Sequence, residues 1–193
     1  MVDGTVRDFG AIGLTNGLAV LGDRETRTHW DHITGEAFKG KLVGAQLDVW
    51  PVHMTTVAAA LAEDPGIIAL PSPFRTFRWW LAQKLYPRFI HGRVWLPAPF
   101  YLSMAAPIDS RLDRLTQGLG VVAGKKAKYY PMRAIPAGGL DDNWHGRILH
   151  VECGTLDGVP RASWADTGER PMQLLSRWYG FSFTYAGCEI YEK

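Results

Sequence analysis

Between Phe9 and Val52 the chain reads FGAIGLTNGLAVLGDRETRTHWDHITGEAFKGKLVGAQLDVWPV. Short apolar runs alternate there with polar residues, and Asn16-Gly17, Gly22-Asp23, Gly35 and Gly40 interrupt them. In an extended chain successive side chains point to opposite faces. Period-two runs between such breakers therefore specify antiparallel strands joined by tight turns. The pattern predicts strands at Arg7 to Gly13, Leu18 to Leu21, Thr26 to Ile33, Glu36 to Lys39 and Gln46 to Val52. Asn16-Gly17 is the firmest turn cue, because both residues tolerate positive φ.

Beyond Val52 the period changes. A helix is predicted from Thr56 to Glu63, capped by Thr55, driven by Ala58-Ala59-Ala60 and stopped by Asp64-Pro65-Gly66. Ile67 to Leu70 reads as a buried strand. Ser72-Pro73 opens a second helix running to about Tyr86, with Phe74, Phe77, Leu81 and Leu85 on one stripe. Gly92 to Asp109, rich in proline and aromatic residues, reads as an ordered connection over the core. Gly118 to Ala123 and Lys126 to Met132 form a hairpin turned at Gly124, and Arg147 to Glu152 a strand. Pro171 to Tyr179 is read as helical, Phe181 to Tyr185 and Glu189 to Tyr191 as terminal strands or an extended tail. The expected fold is mainly β with two or three short helices: antiparallel hairpins forming a sandwich or partly open barrel, helices covering one edge. No composition break divides the 193 residues, so one domain is expected over 1–193.

Several functions are disfavoured by composition. A net charge of +2 does not call for nucleic acid as partner. Two cysteines, Cys153 and Cys188, make no disulfide framework, though one bridge between them stays open, and no spaced zinc pattern occurs. MVDGTVRDFG has neither the basic nor the apolar region of a signal peptide, and no apolar run is long enough to span a bilayer. A cytoplasmic location is expected for the chain as written, with amino-terminal truncation left open. The 8 Trp serve either as core filler or as the lining of a groove for flat ligands.

Three stretches carry a resemblance. They are Asp23-Arg24-Glu25-Thr26 with Trp30, Thr34-Gly35-Glu36-Ala37, Gly40, Gly44 and Leu47 through Pro51; then Leu119 to Gly124 with Ala127-Lys128-Tyr129-Tyr130-Pro131; and the aromatic tail from Trp178 to Tyr191. Together they resemble the domain of unknown function 3179 family of bacterial and archaeal proteins, while Phe74 to Asp113 matches poorly. Longer relatives open with a further AYP-type segment and a Cys-Pro-x-Cys-Gly strand that this chain lacks. Cys153-Gly154-Thr155 sits at a comparable offset after Ala127 to Pro131, which suggests an internal duplication in the family. If a thiol site resides in the missing segment, this chain is a shortened, functionally altered member. The resemblance implies a fold and carries no activity.

Four groups of residues are candidates for chemistry. On a strand, His29 and Asp31 share one face while Trp30 and His32 share the other. An imidazole beside a carboxylate suits a general base, so His29, Asp31 and His53 are the catalytic candidates. The plainer reading is a solvated face with Trp30 packed inside. Arg24, Glu36 and Trp30 are ligand-binding candidates, Arg24 as anchor for an anion. Structurally, Asp23 would instead bond turn amides while Arg24 pairs with Glu36. His53, His150 and Cys153 are the metal candidates, for copper or zinc, with His145 and Glu152 nearby. Alternation sets Cys153 opposite His150, which favours an inert buried thiol. Arg75, Arg78, Trp79, Lys84 and Arg88 form a basic, aromatic surface suited to a membrane interface or an acidic partner, or an ordinary solvated helix. The leading functional expectation is a binding module for a small ligand, metal or partner. A small enzyme with a histidine general base, metal-assisted or not, comes next, and a peripheral membrane-surface protein third. No specific motif indicates a cofactor.

Overall fold

A computed structural model of the chain describes residues 4–15, 18–68, 80–81, 84 and 109–192. The first strands form an antiparallel sheet in the order β1 (Phe9–Thr15), β2 (Leu18–Asp23), β3 (His29–Asp31) and β4 (Ala37–Lys39). Helix α1 (Val57–Glu63) follows. The second sheet has the order β10 (Met172–Arg177), β5 (Gln117–Ala123), β6 (Lys126–Pro131) and β11 (Glu189–Ile190), with only β11 parallel to its neighbour. A meander of β7 (Leu140–Trp144), β8 (Arg147–Cys153) and β9 (Pro160–Trp164) makes the third sheet, and helix α2 (Trp178–Thr184) follows β10. The result is β-rich, and among the described residues no sheet closes into a barrel.

Alternation along β5 explains the layering. Leu119 and Val121 face one way and meet Leu149, Val151, Ala162, Trp144 and Trp164 of the third sheet, which makes the sandwich core. Gly118, Gly120 and Val122 face the other way, toward α2. A Cβ on Gly120 would lie 2.0 Å from the Phe181 ring, so only glycine lets that ring rest on the strand backbone. Trp178, Phe181, Tyr129 and Cys188 complete this second core. In the first sheet Trp30 and Ala37 are buried against Phe9, Leu21, Leu42, Ala45 and Leu47, so the loop after β4 covers that face.

Several expected elements differ. The strand expected from Thr26 to Ile33 is only His29–Asp31, because the Asp23 carboxylate gathers the Thr26 and Thr28 amides into a turn. Gln46 to Val52 forms no strand: Gln46 makes one bridge to Glu36, and Trp50 is 85% exposed. Ile67 and Ile68 are exposed rather than in a buried strand. Thr56, not Thr55, caps α1 by accepting from the Ala59 amide, while the Thr55 hydroxyl donates to Asp157. Pro171 to Tyr179 is largely strand β10, and Phe181 to Tyr185 largely helix α2. Trp178, Phe181, Ser182 and Tyr185 recur at helical spacing, and burial of that stripe against β5 and β6 decides the helix. The turn at Asn16-Gly17 and nearly all of 69–108, with the second predicted helix, lie outside the described residues.

Candidate functional site: the outer face of the first sheet

The family-like motif folds into one hydrogen-bonded node. Asp23, 2% exposed, accepts from the indole of Trp30 at 3.0 Å and from the amides of Thr26 and Thr28 at 2.6 and 3.2 Å. The Thr26 hydroxyl is 2.7 Å from both carboxylate oxygens, and an Arg7 guanidinium nitrogen stands 3.9 Å away. Burial alone would push the carboxyl up, but the bonds from Trp30, Thr26 and Thr28 together outweigh it and hold the pKa at about 2. Asp23 thus bonds turn amides as the structural reading expects. Arg24 does not pair with Glu36; it meets Asp8 at 2.9 Å, in solvent. Trp30, fully buried on Asp23, is closed to a ligand.

This node holds the opposite face of the sheet outward. Cross-strand partners share a face, so Gly10, Gly22, His29 and Lys39 form one rung across all four strands. Val20 and Asp31 form the next rung on the same face. Ile12 packs on Gly22, where a Cβ would lie 2.8 Å from its side chain, while the space over Gly10 is open; a cavity of about 500 Å³ lies there, rimmed by Arg24, Arg27 and His29 with buried Asp23 in its lining. Arg27 is exposed, and its side chain has no polar partner among the described residues.

Over the next rung lies a second cavity, of about 180 Å³, lined by Thr15, Val20, Asp31, Glu36, Phe38 and Thr184 of α2. One Asp31 oxygen accepts from the Ile33 and Thr34 amides at 2.7 and 3.1 Å. The Tyr185 hydroxyl is buried without a partner, and burial together with the Asp31 charge holds its phenol well above the ordinary range. The His29 ring stands edge-on to Phe38, 6.1 Å between centroids, where the two cavities adjoin. Asp31 shares His29's face, as alternation requires, but makes no hydrogen bond to it; its carboxylate is engaged by the turn amides.

The other histidines lie elsewhere. His150 has Nδ1 2.7 Å from Asp141 and Nε2 3.6 Å from Glu152, and the hydrogen bond to Asp141 is the main cause raising its pKa. An imidazole held between carboxylates at both nitrogens favours its cation and is a poor proton acceptor. Glu152 continues through Arg161 to Glu63 of α1. Burial, then the charges of Glu152 and Asp157, push the Cys153 thiol up, away from the reactive thiolate. Cys153 and Cys188 are both free, which closes the disulfide alternative. His53 keeps a buried Nε2 without a partner. Among the described residues no group of three or more His, Cys, Asp and Glu side chains could hold a metal ion, so His53, His150 and Cys153 do not assemble as one.

Of the basic aromatic surface, Arg75, Arg78, Trp79 and Arg88 lie outside the described residues. Lys84 is exposed, with its ammonium 4.4 Å from the centre of the half-exposed Trp80 ring. Upstream, Trp50, Val52, Met54, Val57 and Ile68 are all more than half exposed. No described helix is long and apolar enough to cross a membrane.

Reading the sequence missed Arg27, Lys39, Phe38 and the Gly10–Gly22 floor. The signal was present for the glycines: within a strand pattern an isolated glycine marks a bulge or a close approach, and Ile12 makes such an approach to Gly22.

The fold and this face define a β-rich α+β sandwich whose first sheet is held by a buried aspartate. The chain belongs to the family described as Protein of unknown function (DUF3179), whose model matches residues 1–143. Neither a curated protein nor a solved structure matches it. The matched span contains the whole first sheet and ends within β7, so α2 and the aromatic tail lie outside it.

Proposed function

We propose that the chain is a non-catalytic small-ligand binding module whose recognition face is the outer face of β1 to β4. The cavity over Gly10 and its basic rim carry this reading. Gly10 has open space where a Cβ would stand, and its neighbour Gly22 lets Ile12 pack close to the backbone. Both glycines sit beneath a rim of Arg24, Arg27 and His29, whose donors suit anionic groups. Arg24 keeps the anchoring role expected of it, since an exposed pair such as Arg24–Asp8 is worth little and a ligand can displace it.

Amide chemical shifts of labelled protein, titrated with a panel of small metabolites, test the proposal. Binders are expected to move Gly10, Gly22 and His29. Gly10 has open space where a Cβ would stand and no positive φ, so Gly10→Val fills the floor without strain and is expected to abolish those shifts while leaving the melting temperature within a few degrees. Binders that perturb only other surfaces, or none that perturb these residues, overturn it.

A second reading, peripheral contact with a membrane surface, is favoured by the exposed side chains of Trp50, Val52, Met54, Val57 and Ile68. Large exposed apolar areas commonly mark such contacts. Flotation with anionic liposomes is expected to be reduced by charge reversal at Arg75 and Arg78 and by Trp50→Ser with Ile68→Ser. Wild-type protein that stays at the bottom of the gradient ends this reading.

A further inference from the structure

The two cavities over the first sheet lie on consecutive rungs of one ladder and differ in charge: Arg24, Arg27 and His29, with buried Asp23, line one, and Asp31 and Glu36 the other. The Gly22–His29 rung carries Lys39 and has Arg27 at its rim. The Val20–Asp31 rung carries Asp31 and lies beside Glu36. Rungs two residues apart are separated by about 6.7 Å along the strand. We propose that this face binds a bipolar chain: a short unblocked peptide or an ω-amino acid, with its carboxylate over Arg27, His29 and Lys39 and its ammonium between Asp31 and Glu36. The inference rests on the binding-module reading and deepens it by naming the ligand class.

Charge and spacing both select this class. Asp31 and Glu36 line one cavity, and no cationic side chain is among its described lining residues. Among the described residues the Glu36 carboxylate has no hydrogen-bond or ion-pair partner, and Asp31 uses only one oxygen, so acceptors remain for an ammonium. Phe38 lies in the same cavity, where its ring face can add a cation–π contact. A free α-amino acid is too short, since its charges stand only about 3 Å apart. Two to three extended residues span roughly 7–10 Å and reach from one rung to the next. Thr184 of α2 also lines the acidic cavity.

Titration calorimetry with Ala-Ala-Ala, its N-acetyl and C-amide forms, and 6-aminohexanoate tests the assignment. Each cap removes one charge-assisted interaction and is expected to weaken binding by about tenfold or more. Arg27→Gln should weaken the free peptide to a similar extent and leave the C-amide unaffected. Glu36→Gln should weaken the free peptide and leave the N-acetyl form unaffected. Both residues are exposed and outside the cores, so these variants are expected to fold. Binding of 6-aminohexanoate as tight as that of the peptide assigns the ω-amino acid source, and weaker binding the peptide. Capped forms that bind as well as the free peptide, or no binding by any of these probes, overturn the bipolar assignment. If the metabolite panel still moves Gly10 and Gly22 with purely anionic ligands, the binding module survives that failure; if nothing moves them, both readings fall.

Discussion

Asp23→Ala is expected to destabilise the protein by about 3–5 kcal/mol, the range for removing one partner from a buried charged network. The carboxylate satisfies the Trp30 indole and two backbone amides, one of them on buried Thr28, and truncation leaves these donors without an acceptor. Asp8→Ala is the control: it removes the solvent-exposed partner of Arg24 and is expected to change stability by less than about 1 kcal/mol. Denaturant unfolding followed by tryptophan fluorescence separates the two. The same carboxylate predicts an acid limit. Its pKa is lowered in the fold to about 2 from 3.8, so its contribution is complete above pH 3.8 and lost as pH falls through 2. An Asp23→Asn variant should lose that acid-dependent part of the unfolding curve. Equal stability of Asp23→Ala and Asp8→Ala would show that the node does not hold the sheet.

Asp142→Ala is expected to cost a similar amount, about 3–5 kcal/mol, for a different reason. Asp142 on β7 lies 2.6 Å from the Lys128 ammonium of β6, with the two side chains 13% and 12% exposed. It also accepts from the Tyr130 hydroxyl at 2.6 Å. Burial first, and then this hydrogen bond, hold the Tyr130 phenol far above the ordinary range. Lys128 further lies 5.7 Å from the ring centres of Tyr130 and Tyr191. Truncating the acid strands a mostly buried cation between two sheets. Replacing the whole set with apolar groups, as Lys128→Met, Tyr130→Phe and Asp142→Leu, removes the charge with its partner and is expected to recover stability to within about 1–2 kcal/mol of the wild type. A triple variant no more stable than Asp142→Ala would show that packing, not the unpaired cation, sets the loss.

Lys128 and Tyr130 belong to the Ala127 to Pro131 stretch that carried the second part of the family resemblance, and both point into the sandwich. Their motif was readable and their partner was not, because Asp142 comes from another sheet. The same division runs through the candidate site. Alternation put His29 and Asp31 on one face and Trp30 on the other, and the β3 register agrees. That Arg24 meets Asp8, while Glu36 faces a cavity with Asp31, depended on how β1 and β4 flank the central pair.

Local chemistry was sufficient for the pairing of β1 with β2, the Asp23 turn and the β5–β6 hairpin, since strand period and turn preference act within a few residues of the chain. Tertiary structure alone decided that 172–177 is a strand and 178–184 a helix. Gln173 bonds both backbone groups of Ala162, and the stripe from Trp178 to Tyr185 is buried on β5 and β6. It also decided that a threonine from α2 lines a cavity over a sheet formed more than 140 residues earlier. Burial is a property of what packs on the other side, and no window of sequence contains both sides.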